Sequence, residues 1–236
     1  MEIVGTSLPI NKTGSPVAHH WLAETGLWNE QIRFAPFDPA LPEDAVIIEV
    51  GGHTDAADSR KFRGAHAGAT IHIYEPVPPF CQTLKSKWAD DKQTVVHCAG
   101  MGDKKRDIPF SGDGLAGQGT YVMEGGAKRQ GSASQVAIHI VNAVAELSAT
   151  VAASPHGRID LLHINCEGCE WEMLESLLFS GRTIKDVKYL QISFHNYSSK
   201  GLGAVILQYC RLHEKLQQTH ELVQGVPFGW ERWALR

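Results

Sequence analysis

Apolar residues fall along this chain in short continuous runs separated by amphipathic stretches, the pattern of parallel strands covered on both faces by helices. Ala45-Val-Ile-Ile-Glu-Val50 predicts a first strand, and the polar stretch from Asp55 to His66 predicts the helix after it. Thr70-Ile-His-Ile-Tyr-Glu75, closed by Pro76, predicts a second strand. A helix from Pro79 to Trp88 and a third strand at Thr94-Val-Val-His-Cys98 follow. Residues 101–134 break the rhythm: eight glycines and several charges predict a loop with at most one short strand near Ile108 to Phe110. Long loops inside compact domains are commonly binding loops or lids.

The alternation then resumes. Val136-Ala-Ile-His-Ile-Val141 predicts a strand, with Asn142 as N-cap of a helix to about Ala153. Ile159-Asp-Leu-Leu-His-Ile-Asn165 runs directly into Glu170-Trp-Glu-Met-Leu-Glu-Ser-Leu-Leu178, whose acidic first turns suit the positive end of a helix. Trp171, Leu174 and Leu178 mark its apolar face, and Gly181 its stop. Val187 to Phe194 predicts another strand, and Val205, Tyr209, Leu212 and Leu216 form a helical stripe. Glu221 to Leu235 predicts two short strands joined at Gly225 to Gly229. The expected architecture is α/β, a mostly parallel sheet ending in an antiparallel hairpin. It occupies residues 45–236, after an N-terminal extension over 1–44 with a helix near His20 to Ile32.

Composition narrows the function classes. Of 236 residues, 43% are apolar, enough for a sizeable core, and the 20% charged are too few and too mixed for a disordered chain. A net charge of −4 argues against a general electrostatic grip on nucleic acid or an anionic membrane. No apolar run reaches the length of a membrane span, and Met-Glu-Ile-Val-Gly lacks the start of a secretory signal, so a cytoplasmic protein is expected. Cys81, Cys98, Cys166, Cys169 and Cys210 are odd in number and widely spread, which predicts free thiols in a reducing compartment, with no disulfide framework.

In an open parallel sheet, ligands bind beyond the carboxyl ends of the strands, where the strand order reverses. Glu49-Val-Gly-Gly-His-Thr54 follows the first strand, and Gly51 and Gly52 let the backbone approach a ligand closely. The motif is neither Gly-x-Gly-x-x-Gly nor a phosphate-cradling loop, and alone it equally describes an ordinary strand-to-helix turn. Glu75 ends the second strand about 25 residues later, where a carboxylate accepts hydrogen bonds from a ribose diol; the alternative is a solvated strand-end acid. Asn165-Cys-Glu-Gly-Cys-Glu170 lies between a strand and a helix at mid-sheet. Its Cys-x-x-Cys at a helix N-terminus would stabilise a thiolate, but two small packing residues are the simpler reading. His195, at the tip of the next strand, suits a general base by its unperturbed pKa of ~6.5, and equally a hydrogen-bonded structural histidine.

Together these segments resemble the class I S-adenosylmethionine-dependent methyltransferases, FkbM type, over about Ala45 to Tyr197. Ile159-Asp-Leu-Leu-His-Ile-Asn-Cys-Glu-Gly-Cys-Glu-Trp-Glu-Met-Leu174 is similar to the family's apolar strand, Lys-Ile-Asp-x-Glu-Gly-x-Glu and apolar helix. Val46-Ile-Ile-Glu-Val-Gly-Gly-His resembles the first cofactor motif, Ile73-Tyr-Glu-Pro76 the second, and Val95 to Ala99 with Gly102-Asp103 the third strand and its turn. The resemblance implies a Rossmann-like doubly wound sheet of seven strands, S-adenosylmethionine as cofactor, and O-methylation of a small molecule or sugar hydroxyl. It implies that Glu49, Gly51, Gly52, His53 and Thr54 lie at the methionine end of the cofactor, Glu75 and Pro76 at its ribose, and Ala99 and Gly100 at its adenine. Glu167, His195 and Asn165 become the catalytic candidates, and the glycine-rich segment 111–131 the acceptor lid. Two departures stand out: Glu49 and Asp55 replace an Asp and a Gly of the first motif, and His163-Ile-Asn165 replaces Lys-Ile-Asp. They keep open a catalytically silent methyltransferase-like binding domain; a nucleotide-dependent oxidoreductase is disfavoured by the missing Gly-x-Gly-x-x-Gly.

Overall fold

Apolar runs of this kind need cover on both faces, and the computed structural model shows how it is supplied. It describes residues 33–110, 136–180, 183–195 and 202–236. The helix expected near His20 to Ile32, most of the glycine-rich loop and Gly181 lie outside them. In chain order the elements are β1 (Val46–Val50), α1 (Ala57–Ala65), β2 (Thr70–Tyr74), α2 (Pro78–Lys87), β3 (Thr94–His97), β4 (Gly100–Gly102), β5 (Arg106–Phe110) and β6 (Val136–Asn142). Then come α3 (Ala143–Ala153), β7 (Ile159–Ile164), α4 (Cys169–Phe179), β8 (Val187–Ser193), α5 (Leu202–Leu216), β9 (His220–Gly225) and β10 (Trp230–Leu235).

Seven strands form the main sheet in the order β3-β2-β1-β7-β8-β10-β9. The pairs from β3 to β8 are parallel, and β10 runs antiparallel to both β8 and β9. Alternation along each strand sorts side chains between two cores. Ile48, Val50, Leu162, Ile164, Leu190 and Ile192 meet α3, α4 and α5 on one face. Ile47, Ile71, Ile73, Leu161 and Tyr189 meet α1, α2 and the segment around Phe34, Phe37 and Leu41 on the other. The expected stripe is buried throughout: Val205, Tyr209, Leu212 and Leu216 all face the sheet from α5. Asn142 caps α3, its side chain accepting from the Ala145 N–H at 2.8 Å. Residues 33–41 lie across β8 and β10, where Gln191 and Arg232 donate to the carbonyls of Arg33 and Pro36, and the Tyr189 hydroxyl donates to that of Pro39.

The structure differs from expectation in three places. The strand at 136–141 forms, but in a separate three-stranded sheet, β4-β6-β5, because β1 pairs directly with β7 and leaves no slot in the main sheet. In the stretch read as a loop with at most one short strand, β5 is the strand expected near Ile108 to Phe110 and β4 is the additional one. Four of the five cysteines are not free thiols either: Cys81 pairs with Cys98 and Cys166 with Cys169, at Cα separations of 5.3 and 5.5 Å, and Cys210 alone stays a free thiol. The first pairing arises because β3 returns its end beside α2, a proximity that sequence spacing does not disclose.

Candidate functional site

β1 sits between β2 and β7, so the strand order reverses there, and the loops beyond these three strands face one another. Backbone contacts hold the tips together. Gly51 and Gly52 donate to the Tyr74 carbonyl at 2.9 and 3.3 Å, and Asn165 donates to the Val50 carbonyl at 2.9 Å. Gly51 has φ +101°, and a Cβ there would lie 2.0 Å from the Asn165 carbonyl oxygen, so only glycine fits. His53 and Ala56 also adopt positive φ, 52° and 42°, and α1 starts at Ala57 rather than Asp55. The His53 ring meets Phe80 edge-on at 4.6 Å, and Thr54 Oγ1 lies 3.1 Å from His53 Nδ1.

Glu75 follows β2 and is only 4% exposed. Its Oε2 accepts the His53 N–H at 2.7 Å and its Oε1 the Val77 N–H at 2.8 Å. Burial pushes its pKa up to about 7, the two backbone donors opposing the rise. Pro76, Ala99 and Gly100 come together beyond β2 and β3; a Cβ on Gly100 would lie 3.3 Å from Pro76 and 2.8 Å from Ile140. The small sheet closes this side, Ile138 and Ile140 packing on Val77 and Phe80.

Glu49 points into the α1 face. Register aligns it with His163 on β7, Gln191 on β8 and Arg232 on β10, a buried polar row across the sheet. Glu49 Oε2 accepts the Ser59 N–H at 3.0 Å and the Ser59 hydroxyl, and burial raises its pKa to about 7. His163 bridges Asp58 at 2.9 Å and Gln191 at 3.0 Å, stacked on Trp230, while Asp58 also binds Arg33. Donor atoms of Glu49, Asp58 and His163 lie within 4.8 Å of one another. With a guanidinium in the same cluster, the hydrogen bonds of these groups go to protein partners, and we assign no metal to it.

The third group gathers where β7 and β8 end. Glu167 and Gly168 have φ 55° and 113°, a tight turn that opens α4. His195, 4% exposed, lies with Nε2 3.6 Å from Glu167 Oε1 and Nδ1 3.3 Å from Glu170 Oε1. Burial alone would lower the His195 pKa, but the contact of its ring N–H with the Glu170 carboxylate and the charges of Glu170 and Glu167 outweigh it and hold the imidazole above its ordinary value. Glu170 also accepts the N–H groups of His195 at 2.6 Å and Gly168 at 2.8 Å, and Trp171 Nε1 donates to the His195 carbonyl at 2.7 Å. By sequence Glu170 reads as the last residue of the Asn165–Glu170 turn and as an acidic helix start, with no partner. Its signal was the second acid of Glu-x-x-Glu on a strand-to-helix turn, which gains a partner only when β8 brings His195 alongside.

These three groups therefore converge on one end of the sheet, with Glu49 and His163 behind the first loop. No helix among the described residues is long and apolar enough to cross a membrane. No curated protein matches the sequence. Solved structures with a similar course of chain include a Methanococcus jannaschii fibrillarin pre-rRNA processing protein, 11% identical over 82% of this chain and 67% of that one, TM-score 0.46. An Aeropyrum pernix fibrillarin with natively bound S-adenosyl-L-methionine is 11% identical over 83% and 69%, TM-score 0.43. The O-methyltransferase TomG of Streptomyces achromogenes, in complex with the same cofactor, is 13% identical over 82% and 74%, TM-score 0.44. The model of the methyltransferase FkbM domain matches residues 49–222, most of the chain and all three strand tips. The chain belongs to the FkbM methyltransferase family and is an S-adenosylmethionine-dependent methyltransferase.

Proposed function

We propose that this methyltransferase acts on a hydroxyl group of a small molecule or sugar. The observation that carries the reading is His195, a buried imidazole flanked by two carboxylates at the end of β8. A hydroxyl acceptor must lose its proton on methylation, and an imidazole held at the strand tip is suited to take it. In this reading His195 takes the proton, Glu167 stabilises the imidazolium, and Asn165 offers an amide to orient the acceptor. S-adenosylmethionine supplies an electrophilic methyl group; the protein's part is alignment and proton removal. Gly51 to Thr54 hold the methionine end and Glu75 the ribose hydroxyls. Each Glu75 oxygen accepts a single backbone N–H and has a lone-pair site left over. Pro76, Ala99 and Gly100 border the adenine, and Glu49 acts behind the loop by fixing Ser59.

The test is incubation of purified protein with methyl-labelled S-adenosylmethionine and fractionated cell extract, followed by identification of what acquires label. Label in an ether linkage of a small molecule or sugar, lost in His195→Ala, supports the proposal. Label only on nitrogen or on macromolecules overturns it, and cofactor binding with no labelled product in any fraction favours a silent binding domain.

A further inference from the structure

The turn between β7 and α4 carries chemistry that methyl transfer does not use. Cys166 and Cys169 are bridged across Glu167 and Gly168. Both are half-buried; in the other disulfide Cys98 is half-buried too, but Cys81 has no exposed surface and neither cysteine opens a helix. Cys169 opens α4, where the helix N-terminus stabilises a departing thiolate. The two residues inside the bridge are both left-handed, and one of them is a glutamate, for which that conformation is costly. The closed ring holds Glu167 there, with its carboxylate toward His195. We propose that Cys166–Cys169 is a thiol-exchange site for low-molecular-weight thiols, and that its redox state sets the approach of Glu167 to His195. The catalytic consequence rests on the role proposed for these two residues; the exchange and the movement rest on the geometry of the turn.

The step balances as follows. The thiolate of one small thiol adds to one sulfur of the bridge, breaking the Cys166–Cys169 bond and expelling the other sulfur, which takes up a proton. A second small thiol attacks the mixed disulfide, releases the remaining cysteine as a thiol and leaves as the oxidised small-molecule disulfide. Two electrons pass to the protein, and Glu167 is freed to return to a right-handed or extended backbone.

The full chain, isolated oxidised, is equilibrated in glutathione buffers of graded redox ratio, acid-quenched, alkylated and mapped by peptide mass. Cys166 and Cys169 are expected to become alkylated in folded protein while Cys81 and Cys98 stay bridged. In parallel, NMR follows the His195 ring, which Glu167, Glu170 and Ser193 face, in oxidised protein, reduced protein and Cys166→Ser/Cys169→Ser. Reduction is expected to lower the His195 titration midpoint, the double variant to match the reduced protein, and Glu167→Gln to remove the difference. Should the double variant fail to fold, native reduced protein supplies the comparison. A bridge opened only by unfolding, or a midpoint unmoved by reduction, overturns the inference. Calorimetry with S-adenosylmethionine on the same samples keeps the two proposals apart: no binding in either redox state removes the methyl-transfer reading, while alkylation and NMR still decide this one.

Discussion

The assignment of Glu75 to the ribose is open to a quantitative test through Glu75→Gln. Each carboxylate oxygen accepts one backbone N–H, at 2.7 Å from His53 and 2.8 Å from Val77, which leaves one lone-pair site per oxygen for the cofactor hydroxyls. Glutamine keeps one acceptor and turns the other oxygen into a donor. One cofactor bond to a charged acceptor is then lost and one loop N–H faces another donor. At about 1.5–3 kcal/mol for a hydrogen bond to a charged group, binding should weaken by about 2–3 kcal/mol, roughly 30- to 150-fold. Because the pKa of Glu75 is raised to about 7, its protonated fraction falls as pH rises, and hydroxyl donors bind the ionised form better. Wild-type affinity should accordingly climb about tenfold from pH 6 to pH 8, and the glutamine variant should lack that slope. Calorimetric titration with S-adenosylmethionine at three pH values, repeated with its 2′-deoxy analogue, measures both effects. A variant within threefold of wild type at pH 8, or one that keeps the slope, refutes the assignment. So does a deoxy analogue whose loss of affinity is the same in both proteins.

Three further outcomes are expected. Gly51→Ala forces a Cβ to 2.0 Å from the Asn165 oxygen at φ +101°, and should destabilise the protein by on the order of 3–5 kcal/mol; a thermal midpoint equal to wild type would count against the interlocked tips. Glu49 has a folded pKa near 7 against 4.5 for the free acid, so the stability it contributes is present below pH 4.5 and lost as pH rises through 7, by about 3 kcal/mol. Denaturant melts should show Glu49→Gln gaining on wild type across that window, and a constant difference would remove the buried-acid account. Glu170→Gln should lower the His195 midpoint in an NMR titration, since Glu170 is the largest influence holding that proton; the pH at which methyl transfer switches on should fall with it. An unchanged midpoint would reduce Glu170 to a helix-start residue.

The sequence disclosed what local periodicity encodes. Unbroken runs such as Ile159–Ile164 became central strands, Asn142 capped its helix, and the Val205–Leu216 stripe faced the sheet. The strand tips that carry Glu75, Asn165 and His195 were legible for the same reason. What stayed hidden depends on pairing across the chain. The row of Glu49, His163, Gln191 and Arg232 exists only because register sets four strands side by side. Each residue alone reads as an ordinary polar interruption of a strand. The Cys81–Cys98 bridge and the placement of Val136–Asn142 in a second sheet are likewise products of topology.

The substitution at Asn165 becomes intelligible in the same terms. Its backbone does the architectural work: the N–H holds the Val50 carbonyl, and the carbonyl oxygen sits where a Gly51 side chain would have to go. Neither contact uses the side chain, so exchange of a carboxylate for an amide at 165 leaves the junction of β1 and β7 intact. The acids of the site stand instead on the neighbouring turn, Glu167 beside the His195 ring and Glu170 beneath it, fixed to the backbone of Gly168 and His195. Fold and chemistry are thus separable across six residues. A chain that departs from its family at 165 keeps the junction of the strand tips because that junction is built from main chain, and the proton-handling role proposed for His195 and Glu167 draws on the next turn and not on the side chain at 165.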